Sequence, residues 1–318
     1  MTREEVMQSN SLKKRFCKDY NIPITVFANP YFHQRLEVID KVQPCIHNFE
    51  MFCKEMEKYE NKQDYFESYN ATKEKIINAI KENAEYGCFN YAQMSSDVAY
   101  PKKNLYSSGN DGCVFVSIDM QKANFSALQE WSPKIFNDCQ TWEEFVLQFT
   151  DSVYVANSKY IRQVVMGACN PKRQIRYEHI LMNELLCSIV PEIEKMFVVY
   201  SLGEDEIILQ PIQKNPAKDD IAIWYDMISK AVSKSKICEK VKVEIFNLKN
   251  IPGTDGWMKS IYDVSGEINM HKFKCLNSEI YHQVVKHFLG EPITDDDLVF
   301  YHDGKLARFL EAVNNPWK

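Results

Sequence analysis

The chain has no stretch able to carry it into a membrane. Its first ten residues are charged without an apolar core, and no apolar run approaches spanning length, so a soluble cytoplasmic protein with no membrane partner is expected. Paired cysteines are missing as well. The ten cysteines are scattered without a C-x-x-C pair, several inside apolar patterns, as small buried hydrophobes in a reducing compartment would be. Cys45, His47 and Cys53 cluster but have no fourth ligand at a useful spacing, which argues against zinc. P-loop, G-x-S-x-G and Rossmann fingerprints are absent, which removes the commonest nucleotide-hydrolase, serine-hydrolase and dinucleotide readings. A formal net charge of -6 argues against a general nucleic-acid coat.

What is present is the composition of a globular protein. The 318 residues are 45% hydrophobic, 13% aromatic and 26% charged, enough to bury one large core or several smaller ones. Residues 1–100 read mainly as helices after a short strand at 24–27. Asn29-Pro30 is a plausible helix start, and Phe32, Leu36, Ile39 and Val42 mark one apolar face. The stretch YPKKNLYSSGNDG, residues 100–112, is the best domain boundary.

The chemistry concentrates at two strand ends. In MFVVYSLGEDEIILQP, residues 196–211, two apolar runs flank a tight turn carrying Glu204, Asp205 and Glu206. Adjacent carboxylates repel one another, so such a turn is costly unless a cation sits there. Upstream, the apolar run of CVFVSIDMQKANF ends on Asp119. Strand 113–119, a helical region over 123–189, strands 196–201 and 205–211, helix 218–235 and strand 240–248 give β-α-β-β-α-β, the split βαβ plan. Its first strand pairs antiparallel with its third, so Asp119 and Asp205 should meet at one sheet edge. The plainer alternative makes 204–206 a solvated turn and Asp119 a helix cap.

With that order, residues 113–248 resemble the palm domain shared by nucleic-acid polymerases, tRNA-His guanylyltransferases and nucleotide cyclases. SLGEDEIIL is similar to the GGDEF signature of diguanylate cyclases, with Glu204 and Ile207 departing from it, and to the Ser-Asp-Glu turn of the guanylyltransferases. VSIDMQKANF is similar to the first metal motif of both. The resemblance implies two Mg2+ or Mn2+ ions bridged by Asp119 and Asp205, with the Met120 carbonyl and Glu204 or Glu206 assisting. Asp119, Asp205 and Glu206 would then be the catalytic carboxylates.

A third segment, SKYIRQVVMGACNPKRQIRY, lies between the acidic motifs. Lys159 and Arg162 share one helical face, and with Lys172, Arg173 and Arg176 they make five basic residues without an acidic one over 152–177. Such a stripe suits a nucleoside triphosphate or a nucleic-acid primer or template; a solvated helix face is the alternative.

After the palm, strands are expected at 256–263 and 267–276, a helix at 278–289, a strand at 297–302 and a last helix at 305–313. His282 and His287, five apart on a helix, read as surface residues. The expected fold class is therefore α+β: a helical N-terminal domain (1–108), a ferredoxin-like palm (109–250) and a small α+β C-terminal domain (251–318). The expected activity is two-metal nucleotidyl transfer from NTP or dNTP to a nucleic-acid 3' end. A nucleotide cyclase and a non-catalytic palm-fold binding protein are the rivals, because fold alone does not fix activity.

Overall fold

The computed structural model describes residues 1–95 and 100–317. The chain opens with α1 (Arg3–Gln8), α2 (Asn10–Tyr20), α3 (Tyr31–Asp40), α4 (Ile46–Met56), α5 (Lys62–Lys81) and α6 (Ala84–Tyr91). Local chemistry starts several of them: Thr2 and Glu5 form a capping box on α1, while Asn61 and Asn83 accept from first-turn amides of α5 and α6. Their apolar faces converge on Phe16, Phe32, Phe49, Phe52 and Tyr65, all essentially inaccessible to solvent. Residues 24–27, expected as a strand, join no ladder. Pro23 and Pro30 bracket this short apolar run, and Ile24 and Phe27 bury against the helices instead.

Helices α7 (Ala123–Trp131), α8 (Trp142–Val146), α9 (Val153–Asn157) and α10 (Lys159–Gly167) extend the same core through Phe125, Trp142, Tyr154 and Ile161. The sheet comes from β1 (Val114–Met120), β2 (Phe197–Leu202), β3 (Glu206–Pro211), β4 (Val241–Asn250), β5 (Trp257–Tyr262) and β6 (Ile268–Lys274). Helix α11 (Pro171–Ile193) precedes β2 and α12 (Lys218–Val232) precedes β4. The strand order is β2-β3-β1-β4-β5-β6, antiparallel throughout. The protein is thus α+β, with its first strand paired to its third. Among the described residues no helix is long and apolar enough to cross a membrane.

Alternation along the strands gives the sheet two different faces. Ile118, Met120, Ile207, Leu209 and Ile245 point toward α11 and α12 and bury against Leu181, Leu185, Ile189, Trp224 and Ile228. Phe115, Ile208, Phe246, Leu248, Trp257 and Ile261 point the other way, under Leu105. The 100–112 segment reaches this opposite face from the sheet edge, where the Leu202 amide donates to the Pro101 carbonyl at 3.1 Å. Toward the β1 C-terminus the opposite face turns polar, with Ser117, Asp119, Glu206, Glu244 and Lys259.

Beyond residue 250 the expectations need correction in three places. Strands β5 and β6 continue the main sheet. The segment read as a last helix over 305–313 instead gives β8 (Lys305–Arg308), a hairpin partner of β7 (Val299–His302). Asp303 and Gly304 between them take φ of 48° and 78°, and two successive left-handed residues make the hairpin turn that folds Lys305–Arg308 back onto Val299–His302. His282, on α13 (Tyr281–Phe288), is buried rather than exposed. Its Nε2 lies 2.8 Å from the Asp297 carbonyl, and burial pushes its pKa down to about 4.

Candidate active site at the strand ends

Residue pairing along the β1–β3 ladder sets Asp119 directly across from Glu206. Asp205, one residue earlier, closes the ladder through its main chain: its carbonyl accepts from the Met120 amide at 2.8 Å. The turn is pinned at its base by the Gly203 amide, which donates to the Glu206 carbonyl at 2.8 Å. A Cβ on Gly203 would come within 3.3 Å of that carbonyl oxygen, so a side chain there would press the turn open. Ser117 Oγ donates to Glu206 Oε1 at 2.5 Å, and Gln121 Nε2 donates to Asp119 Oδ2 at 2.9 Å.

Burial and like charge act together on these carboxyls. The Asp119 pKa is pushed up to about 6 by burial, then by Glu206, Asp205 and Glu244, against the opposing pull of Lys259. Asp205 is raised by burial and by Glu204, although its own amide opposes the shift. Glu204 behaves differently: a hydrogen-bonded ion pair with Lys102 at 2.5 Å lowers its pKa, and it is half-buried. A fourth acid, Glu178, sits on the buried face of α11. Burial and then Asp205 push it up to about 7, and Asn124 Nδ2 donates to it at 3.0 Å.

Next to the acids the open face is cationic. Glu244, opposite Ser117 on β4, lies 2.9 Å from Lys242, 2.8 Å from Lys272 and 4.0 Å from Lys259. Burial raises the Glu244 carboxyl, but Lys272 and Lys242 outweigh it and hold the group at about 2. Lys259 is buried with its ammonium 3.8 Å from the Phe246 ring centre. Asp119, Glu206, Glu244, Lys259 and Lys274 together line a cavity of about 290 Å³.

The basic residues between the motifs divide into two groups. Lys159, exposed at the start of α10, carries a pKa lowered by burial, Arg162 and Lys274 and held up by Asp119, so it lies within electrostatic reach of the acidic strand end. Arg162 is half-buried with a lowered pKa, from burial opposed by Glu143. Lys172 is exposed on α11. Arg173 and Arg176 turn away toward the end of α6: Arg173 donates to the Phe89 and Ala92 carbonyls and covers the Phe89 ring, and Arg176 donates to the Met94 carbonyl at 2.6 Å.

Among the described residues no group of three or more His, Cys, Asp or Glu side chains is arranged to hold a metal ion. The donor chemistry nevertheless fits a hard divalent cation. Asp119 and Glu206 present carboxylates side by side, Asp205 at the turn acts on Asp119 by its charge without lining their cavity, and the raised Asp119 pKa records first burial and then a like-charge repulsion, both of which a cation would relieve. No protein-family model, curated protein or solved structure matches the chain.

Sequence reasoning passed over Glu178, Glu244, Lys259 and Lys272. Glu178 had a signal: Gln174, Glu178, Leu181, Leu185 and Ile189 follow helical spacing, so an acid stands in an otherwise buried stripe. The lysines of β5 and β6 had none, because their place beside Asp119 depends on two strands being added to the far side of β4.

Proposed function

We propose that the chain is a divalent-metal-dependent nucleotidyltransferase of the palm type, adding nucleotides from NTP or dNTP to a nucleic-acid 3' end. The observation that carries this reading is the carboxylate pair Asp119 and Glu206, facing each other at the end of β1 on the sheet face away from α11 and α12. The β2-β3-β1-β4 order agrees with the split βαβ arrangement of a palm. Asp119, Asp205 and Glu206 would hold Mg2+ or Mn2+, with the Met120 carbonyl and Glu204 nearby. Such ions supply activation of the attacking hydroxyl and neutralisation of the departing pyrophosphate.

The protein's own residues do the rest. Lys259, Lys272 and Lys274 bring positive charge to the same cavity, where they would position the triphosphate against the carboxylates. Lys159 adds charge from the α10 side. Glu244 keeps Lys242, Lys259 and Lys272 aligned without itself taking up a proton at neutral pH. The ten free cysteines suit a reducing, cytoplasmic setting.

Incubation of purified protein with Mg2+, labelled nucleoside triphosphates and a short primer tests the reading. Primer extension is expected. A cyclic product would assign the protein to the cyclases instead, and no product with any triphosphate would leave a palm-fold binding protein.

A further inference from the structure

A second and larger cleft, of about 820 Å³, opens between α2, the start of α10 and β6. It lies outside the region that resembles a palm, except for Lys159. Lys14, Lys18, Lys159, Lys272 and Lys274 line it, and no Asp or Glu does. That is a marked local excess in a chain whose net charge is -6. Among the described residues Lys14, Lys18, Lys159 and Lys274 make no ion pair, so within the described structure these four ammonium groups have no carboxylate partner.

Between the lysines the lining is largely apolar, with Tyr20, Ile22, Phe27 and Phe273 in it. Tyr20 is half-buried there, and Met270 is 46% exposed although it stands on a sheet strand. A ligand matching these walls carries several negative charges on one side and planar apolar groups on the other, as a nucleic-acid strand does. Lys272 and Lys274 line both this cleft and the cavity at Asp119 and Glu206. They are two residues apart on a strand, hence on one face and about 7 Å from each other. The cationic track therefore runs from the cleft to the carboxylates without a break. Size selects among nucleic acids: the cleft accommodates a few nucleotides of one strand, whereas a duplex is far broader.

We propose that this cleft binds single-stranded nucleic acid and delivers its end across Lys272 and Lys274 to the Asp119–Glu206 site. The inference deepens the nucleotidyltransferase reading and rests on it only for the direction of delivery. Binding is measured in EDTA, so that it does not depend on catalysis: fluorescence anisotropy of a labelled single-stranded 12-mer, titrated with the full chain over a range of salt. Lys18→Ala with Lys274→Ala should weaken binding about tenfold and make the salt slope shallower by about 1.4, the value for two lost phosphate contacts on a single strand. Lys195→Ala with Lys214→Ala makes the same charge change at exposed positions elsewhere and should leave both quantities unchanged.

Equal weakening in the two double variants would reduce the effect to net charge and overturn the proposal. So would absence of binding by the wild-type chain, displacement of the 12-mer by an equal charge concentration of poly-glutamate, or equal affinity for blunt duplex. Displacement by ATP alone at low micromolar concentration would assign the cleft to a free nucleotide instead. Failure of primer extension with cleft-dependent binding intact would sink the catalytic reading and leave the cleft standing; extension with unchanged binding in the cleft variant would do the reverse.

Discussion

Asp119 and Glu206 face each other across the β1–β3 ladder, yet each carboxylate is met by a neutral donor, Gln121 on the first and Ser117 on the second. Among the described residues neither makes an ion pair, while the nearby lysines are directed at Glu244. The pair is therefore held in place without an ion-pair partner of its own, and the fold stores first the cost of burying Asp119 and then its repulsion by Glu206, against the pull of Lys259.

That stored cost has a measurable sign. The Asp119 carboxyl titrates near 6 in the folded chain, above the 3.8 of the free side chain, so between those values the folded state binds more protons. Its contribution to stability is most favourable below pH 4 and declines as the pH rises through 6. Asp119→Asn removes the penalty: at pH 8 and without metal the variant should melt a few degrees above wild type, and at pH 4 the two should coincide. A variant less stable than wild type at pH 8 would mean that the carboxylate is structural. In primer extension the same variant should be inactive.

Magnesium should reverse that order. A cation held by Asp119, Asp205 and Glu206 as proposed would stabilise only the folded state, by an amount that grows with the logarithm of its concentration over its dissociation constant. Wild-type protein should gain thermal stability in 10 mM MgCl2 or about 1 mM MnCl2. Asp119→Asn, Asp205→Asn and Glu206→Gln should each lose most of that gain. An equal metal-dependent shift in all four proteins would place the ion elsewhere.

Arg173 and Lys172, adjacent in sequence, should answer to different assays. Arg173→Ala removes a guanidinium that satisfies two main-chain carbonyls and covers Phe89, so it should lower stability by about 1–3 kcal/mol in urea unfolding. Lys172→Ala, at an exposed position, should stay within about 0.5 kcal/mol of wild type. If Arg173 instead belongs mainly to ligand binding, its alanine variant will melt normally and show a shallower salt dependence for oligonucleotide.

Much of this arrangement is legible in the sequence where local pattern decides it. The apolar run ending on Asp119, the hairpin around Glu204 to Glu206 and the helices between them follow from periodicity and turn chemistry, and the structure pairs β1 with β3 as that order requires. The ladder then decides what the sequence could not, namely that Glu206 is the residue opposite Asp119, because register is fixed by a whole strand's buried set. Lys259 and Lys272 stayed hidden for the same reason: their neighbours are set by strand order. The 305–313 segment departs from the expected helix because the Asp303-Gly304 turn returns the chain onto β7, where Lys305–Arg308 pair as a strand.

Glu178 separates a buried structural acid from a ligand of the metal. It is 3% exposed, its carboxyl is pushed up to about 7 by burial and by Asp205, and Asn124 already fills one of its acceptor sites. Because its folded value lies above the 4.5 of the free side chain, its protonated form favours the fold. Stability from this group is complete below about pH 4.5 and is lost as the pH rises through 7, at a cost of the order of 2–3 kcal/mol by pH 8. Glu178→Gln keeps an oxygen for Asn124 and cannot ionise, so its melting temperature should exceed that of wild type at pH 8 and match it at pH 5. The magnesium-dependent shift should survive the substitution, since the acid lies on the helix side of the sheet while Asp119 and Glu206 lie on the other. A variant that keeps its pH 8 stability but loses the magnesium shift would make Glu178 a metal ligand and move the site toward α11.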